Sequence, residues 1–136
     1  RPDLVAGIVT MGSPMMAPAA HHRALTASLG GVIALSRLGV PRTMTSDCVG
    51  GPCARQSFEE SRAPLPAGVE FTAIYSRRDG IVDWRACIDP EATAQVEVRT
   101  SHVGMAVDPS VISAVSEALV RHRSAREEAQ SWVATA

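Results

Sequence analysis

Apolar and polar positions divide this chain into three short strand-like runs, a helical stretch between the first two, and an amphipathic helix near the end. Residues 4–11 are mostly apolar and stop at Gly12-Ser13-Pro14, the pattern of a buried strand closed by turn residues. From Met15 to about Ala67 the spacing is helical, with Leu25, Leu29, Val32, Ile33, Leu35 and Leu38 on one broad apolar face. Gly30 and Gly31 interrupt that face at a cost of ~1 kcal/mol each relative to alanine, so a break or a very close helix contact is expected there. Gly39-Val40-Pro41 ends the helix, because glycine suits the C-terminal cap and proline cannot continue it. A loop rich in Thr, Ser, Gly and Cys leads to a second, polar helix over about residues 52–62, and Pro64-Leu65-Pro66-Ala67-Gly68 forms a stiff linker.

The second strand is Val69-Glu70-Phe71-Thr72-Ala73-Ile74-Tyr75, dense in β-branched and aromatic residues, and Ser76-Arg77-Arg78-Asp79-Gly80 breaks it. The third is Ala94-Gln95-Val96-Glu97-Val98-Arg99, followed by the loop Thr100-Ser101-His102-Val103-Gly104-Met105. The spacing between them suits a crossover between parallel neighbours, which needs a dozen or more residues. In an open parallel sheet both loops emerge at the same edge, where active sites form. Asp108-Pro109-Ser110 starts a helix with Asp108 as N-cap and Pro109 at its first position, and Val111, Ile112, Val115, Leu119 and Val120 give it an apolar stripe. Beyond about Arg121 the chain is charged and is expected to fray. The class is α/β.

Composition narrows the function little. A net charge of −1 provides no field for nucleic acid or an anionic membrane. The uncharged stretches before Arg37 are residues 4–22, broken by Gly12, Pro14 and Pro18 and ending in His21-His22, and residues 24–36; neither gives the ~20 apolar residues that span a bilayer. With 46% hydrophobic residues, a packed domain is expected rather than disorder. Three cysteines without C-x-x-C spacing argue against a zinc site, and no glycine-rich phosphate loop follows a strand, so neither metal nor nucleotide cofactor is expected. Cys48 and Cys53 flank two glycines and are read either as a small disulfide loop or as a reduced pair.

The motifs Gly7-Ile8-Val9-Thr10-Met11-Gly12-Ser13-Pro14, Tyr75-Ser76-Arg77-Arg78-Asp79-Gly80-Ile81-Val82 and Ser101-His102-Val103-Gly104-Met105 resemble the last three strands of an α/β-hydrolase of the lipase and esterase kind. The resemblance spans most of the chain, to about His122. It implies that residues 1–136 are the C-terminal part of that fold, that about residues 15–67 are a helical insertion that either lids the active site or packs on the sheet, and that the nucleophile lies upstream of Arg1. In that family the catalytic acid follows the penultimate strand and the histidine the last one. Asp79 and His102 then become the acid and the base of a serine hydrolase acting on a small-molecule carboxylic ester, with an apolar acyl group favoured by the face around residues 25–38. Acyl transfer on the same fold, or a non-catalytic binding module, are the alternatives. In resembling chains a cysteine often stands at the position of Val103; its absence here leaves Cys87 a free buried thiol.

Other chemistry-bearing residues rank lower. Asp83 is the rival acid, four residues beyond Asp79. Ser28 lies in a superficially elbow-like run, yet no strand precedes it. Ser13 is followed by Pro14, which lacks the N–H an oxyanion hole needs at that position. Ser101 is assigned to the turn, and His21 and His22 to a solvated helix start.

Overall fold

The computed structural model describes residues 4–17, 23–40 and 51–134; His21, His22 and Cys48 lie outside them. Three parallel strands form one sheet in the order β1-β2-β3: β1 is Gly7–Met11, β2 Glu70–Ser76 and β3 Ala94–Val98. The helices are α1 at Arg23–Arg37, α2 at Pro52–Ser61 and α3 at Pro109–Ala134. The chain therefore has a mixed α/β architecture closed by a long C-terminal helix. No helix among the described residues is long and apolar enough to cross a membrane.

The register fixes which side chains share a face. Val9 pairs with Thr72 and Met11 with Ile74, while Thr72, Ile74 and Ser76 pair with Ala94, Val96 and Val98. Because side chains alternate along a strand, these residues all lie on one side of the sheet. α3 covers that side, and the core there is Ile74, Val98, Met105, Val111 and Ala114, with Val9, Val96 and Val115 packed against it. Burying a branched aliphatic side chain contributes about 1.5–3 kcal/mol, so this cluster holds the helix to the sheet. On the opposite side Phe71 and Ala73 are buried, Tyr75 stacks on Trp84, and the segment around a short 3-10 turn at Trp84–Cys87 packs against β2.

Both helix-end assignments follow the local chemistry. Gly39 adopts φ +82° while the Val40 amide donates to the Leu35 carbonyl, the left-handed cap that glycine permits. Asp108 caps α3: its Oδ1 accepts from the Ser110 amide at 2.9 Å. Two expectations are corrected. Gly30 and Gly31 neither break α1 nor sit in a close contact, since the helix is continuous and a Cβ at either would meet open space. Nor does the C-terminal helix fray at Arg121; it runs to Ala134, supported by an Arg123–Glu127 ion pair one turn apart and by residues of high helix propensity.

α1 and α2 contribute no residue to the buried core among their described side chains, and Leu35 is exposed. A tie from this region to the body comes just past α2, where Arg62 donates to Met16 Sδ and faces the buried Asp89 at 4.0 Å.

A buried polar contact anchors α3 at its middle. His122 is 3% exposed; its Nε2 lies 3.1 Å from Thr72 Oγ1, which also accepts from Arg121. The imidazole fills the space that a side chain at residue 7 would need, because a Cβ on Gly7 would collide with it. Glycine in this strand marks a close approach. Burial lowers the His122 pKa from 6.5, with Arg121 adding to the effect and Glu70 opposing it. The unfolded chain therefore binds a proton more readily than the folded one. This contribution is present above pH 6.5 and is lost as pH falls through and below that value. Equilibrium urea unfolding from pH 8 to pH 5 is expected to show falling stability, and His122→Leu to flatten the fall. A slope unchanged in the variant would remove His122 from the account.

Candidate active site

Parallel pairing brings the C-terminal ends of all three strands to one edge, and the residues that follow them meet there. Asp79 lies three residues past β2, in a turn closed by its amide donating to the Ser76 carbonyl at 3.1 Å. Its Oδ1 accepts from the amides of Ile81 at 2.9 Å and Val82 at 2.8 Å, an Asx arrangement that an aspartate can make within its own loop. Those bonds occupy one oxygen and aim the other. Oδ2 lies 2.7 Å from His102 Nδ1, and the carboxyl group is 1% exposed.

His102 sits at the start of a second 3-10 turn, Val103–Ala106, in the loop after β3. The loop is tied down at several points. The Met105 amide donates to the Ser101 carbonyl, the Gly104 amide to Ser101 Oγ, and the Asp108 amide to the Gly104 carbonyl. The Ser110 hydroxyl and amide, both donating to Asp108, lower its pKa from 3.8, with a smaller contribution from Thr100. A Cβ on Gly104 would strike Thr100 Oγ1, so a larger residue there would require that side chain to shift. With Nδ1–H donating to Asp79, the matching neutral tautomer has its lone pair on Nε2. A third of the His102 side chain is exposed, and in that tautomer Nε2 is the ring's proton acceptor. A carboxylate orienting a histidine this way is an arrangement that can serve as the base in nucleophilic catalysis.

The structure thus joins the two residues singled out from the sequence and sets the rivals apart. Asp83 caps the Trp84–Cys87 turn, its Oδ1 accepting from the Arg85 amide at 3.0 Å and facing the Arg85 guanidinium at 3.4 Å. Ser28 lies inside α1, with no strand-to-helix turn around it. Ser101 Oγ serves its own turn. No cluster of three or more His, Cys, Asp or Glu side chains able to hold a metal is present among the described residues.

Gly12 is the part of the site that sequence reading passed over. It follows β1 with φ +58°, its amide donates to the Ile74 carbonyl at 2.9 Å, and a Cβ there would lie 3.0 Å from both Asp79 Oδ2 and His102 Nδ1. The backbone of the first loop is one wall of the acid–histidine pair. The glycine at a strand end was visible as a stop signal, but its approach to residues 67 and 90 positions away was not. Gly12→Ala is expected to strain the backbone and push the pair apart, costing about 1–3 kcal/mol in urea unfolding. Unaltered stability, with the His102 ring signals unshifted in NMR, would contradict this packing.

Cys53 is a free exposed thiol and Cys87 a free buried one. Burial raises the Cys87 pKa to about 11, helped by the nearby charges of Asp79 and Asp83. The thiol is therefore protonated and unreactive at pH 8. Iodoacetamide on the folded chain is expected to label Cys53 and spare Cys87, with urea exposing Cys87; rapid native labelling of Cys87 would show that the acid loop opens readily.

Compared with protein-family models, curated proteins and solved structures, the chain shows no match in any of the three.

Proposed function

We propose that Asp79 and His102 are the acid and base of a serine hydrolase of the α/β-hydrolase kind that cleaves carboxylic esters through an acyl-enzyme. The observation that carries this reading is the 2.7 Å contact between His102 Nδ1 and Asp79 Oδ2 at the shared strand edge, with the other carboxylate oxygen saturated by backbone amides. In the proposed reaction, His102 Nε2 takes the proton of a serine hydroxyl as that oxygen bonds to the ester carbonyl carbon. The same proton is then delivered to the departing alcohol oxygen, leaving an acyl-serine. Water attacks the acyl carbon in the second half, giving its proton to Nε2, and the carboxylic acid leaves as serine is reprotonated. Asp79 keeps the ring in the required tautomer and stabilises the imidazolium formed in each half.

The serine is assigned to a segment preceding Arg1. Among the described residues, Ser76 donates to a carbonyl and Ser101 accepts from an amide beside the pair, Ser28 is within a helix, and Ser13 precedes a residue without an N–H. An apolar acyl group fits the surroundings: Val103 and Val107, each 75% exposed, flank the His102 turn, and the partly exposed Met11 adjoins Gly12. Among their described side chains α1 and α2 bury nothing in the core, which leaves them available to cover such a group.

The test is hydrolysis of a p-nitrophenyl ester series by the protein encoded with its upstream sequence. His102→Ala is expected to lower kcat about a thousandfold or more, with longer acyl chains turned over better than acetate in the parent. The chain of residues 1–136 by itself is expected to be inactive. An unchanged rate in His102→Ala would sink the mechanism, and activity of residues 1–136 abolished by Ser28→Ala would move the nucleophile into α1.

A further inference from the structure

The acid and the histidine belong to different loops, and each loop could shift without breaking its own turn. A 2.7 Å contact between them requires something that fixes one loop against the other. Pairing of β2 with β3 ends at Ser76↔Val98, before either loop begins.

Ser76 stands at that point. It is the last residue of β2, fully buried, on the α3-facing side of the sheet. Its hydroxyl donates to the Thr100 carbonyl at 2.6 Å, two residues before His102, and accepts from the Arg78 amide at 3.1 Å, one residue before Asp79. Its carbonyl accepts from the Asp79 amide itself. One side chain therefore holds the backbone of both loops, after the ladder has stopped. The Thr100 carbonyl has left the ladder, so the hydroxyl supplies a donor that no strand neighbour provides.

We infer that Ser76 is a positioning residue: its hydroxyl clasps the acid loop to the histidine loop and sets the Asp79–His102 contact. This deepens the hydrolase reading and rests on Asp79 and His102 being its working pair, while the clasp itself concerns only their geometry. The hydroxyl of Ser76 bonds to the two backbones and acts through them.

The experiment uses the chain of residues 1–136 and reads the Nδ1–H proton of His102 by NMR, through its low-field resonance and its rate of exchange with water. Loss of one hydrogen bond shifts a local opening equilibrium by roughly tenfold. Ser76→Ala is expected to speed exchange of that proton by about this factor, while amides within the β2–β3 ladder exchange as before. Ser76→Thr keeps a hydroxyl and Ser76→Val has the same shape without one. The threonine variant is expected to stay near the parent and the valine variant to follow alanine. Unchanged exchange in Ser76→Ala overturns the clasp and leaves the hydrolase reading standing. Equal acceleration in threonine and valine, or ladder amides accelerating together with the ring proton, assigns Ser76 a packing role and overturns it too. A parent chain without the low-field resonance overturns the clasp and the pair together.

Discussion

Parallel strands cannot be joined by tight turns, and that constraint organises this chain. Each strand must be followed by a crossover before its neighbour is laid down, so every strand end becomes the start of an excursion. β2, paired on both sides, is the axis. The excursions after β1, β2 and β3 all depart from one edge. Gly12, Asp79 and His102 meet there because the register of the sheet leaves their loops nowhere else to begin. The site is in that sense a by-product of how a parallel sheet is threaded, refined by a few local hydrogen bonds.

Those refinements divide the work. The Asx turn at Asp79 satisfies one carboxylate oxygen inside its own loop, which makes burial of the acid tolerable and leaves a single free acceptor. The histidine loop is tied at Ser101, Gly104 and Asp108, so the N-terminus of α3 and this loop are one unit. Small residues permit this. Gly12 and Gly104 lie where a Cβ would meet the pair or Thr100, and Ser76 is short enough to remain inside the sheet while its oxygen spans two loops.

What could be read in the sequence was what chemistry within a few residues decides. The strand runs, the Gly39 and Asp108 caps and the placement of Asp79 and His102 after strands all depend on neighbours close in the chain. The features that escaped are meetings through space. Gly7 resembles any strand-start residue until His122 is laid over it, and Ser76 resembles any polar strand end until Thr100 comes alongside. The helix past Arg121 departs from expectation for a different reason: its charges do not fray it, because Arg123 and Glu127 are spaced to support one another.

The contact of His122 with Gly7 also bears on the order in which the molecule can assemble. It joins the beginning of the first strand to the middle of the last helix, elements separated by nearly the whole described chain. During synthesis from the N-terminal end, Ile74 and its neighbours have no cover until α3 emerges. A nascent chain that has made all three strands still carries an open apolar sheet face, the kind of surface that chaperones hold and that aggregates when crowded. Docking of α3 is thus the step that covers this face. Because the helix starts at the histidine loop, covering the core and ordering His102 are parts of one event.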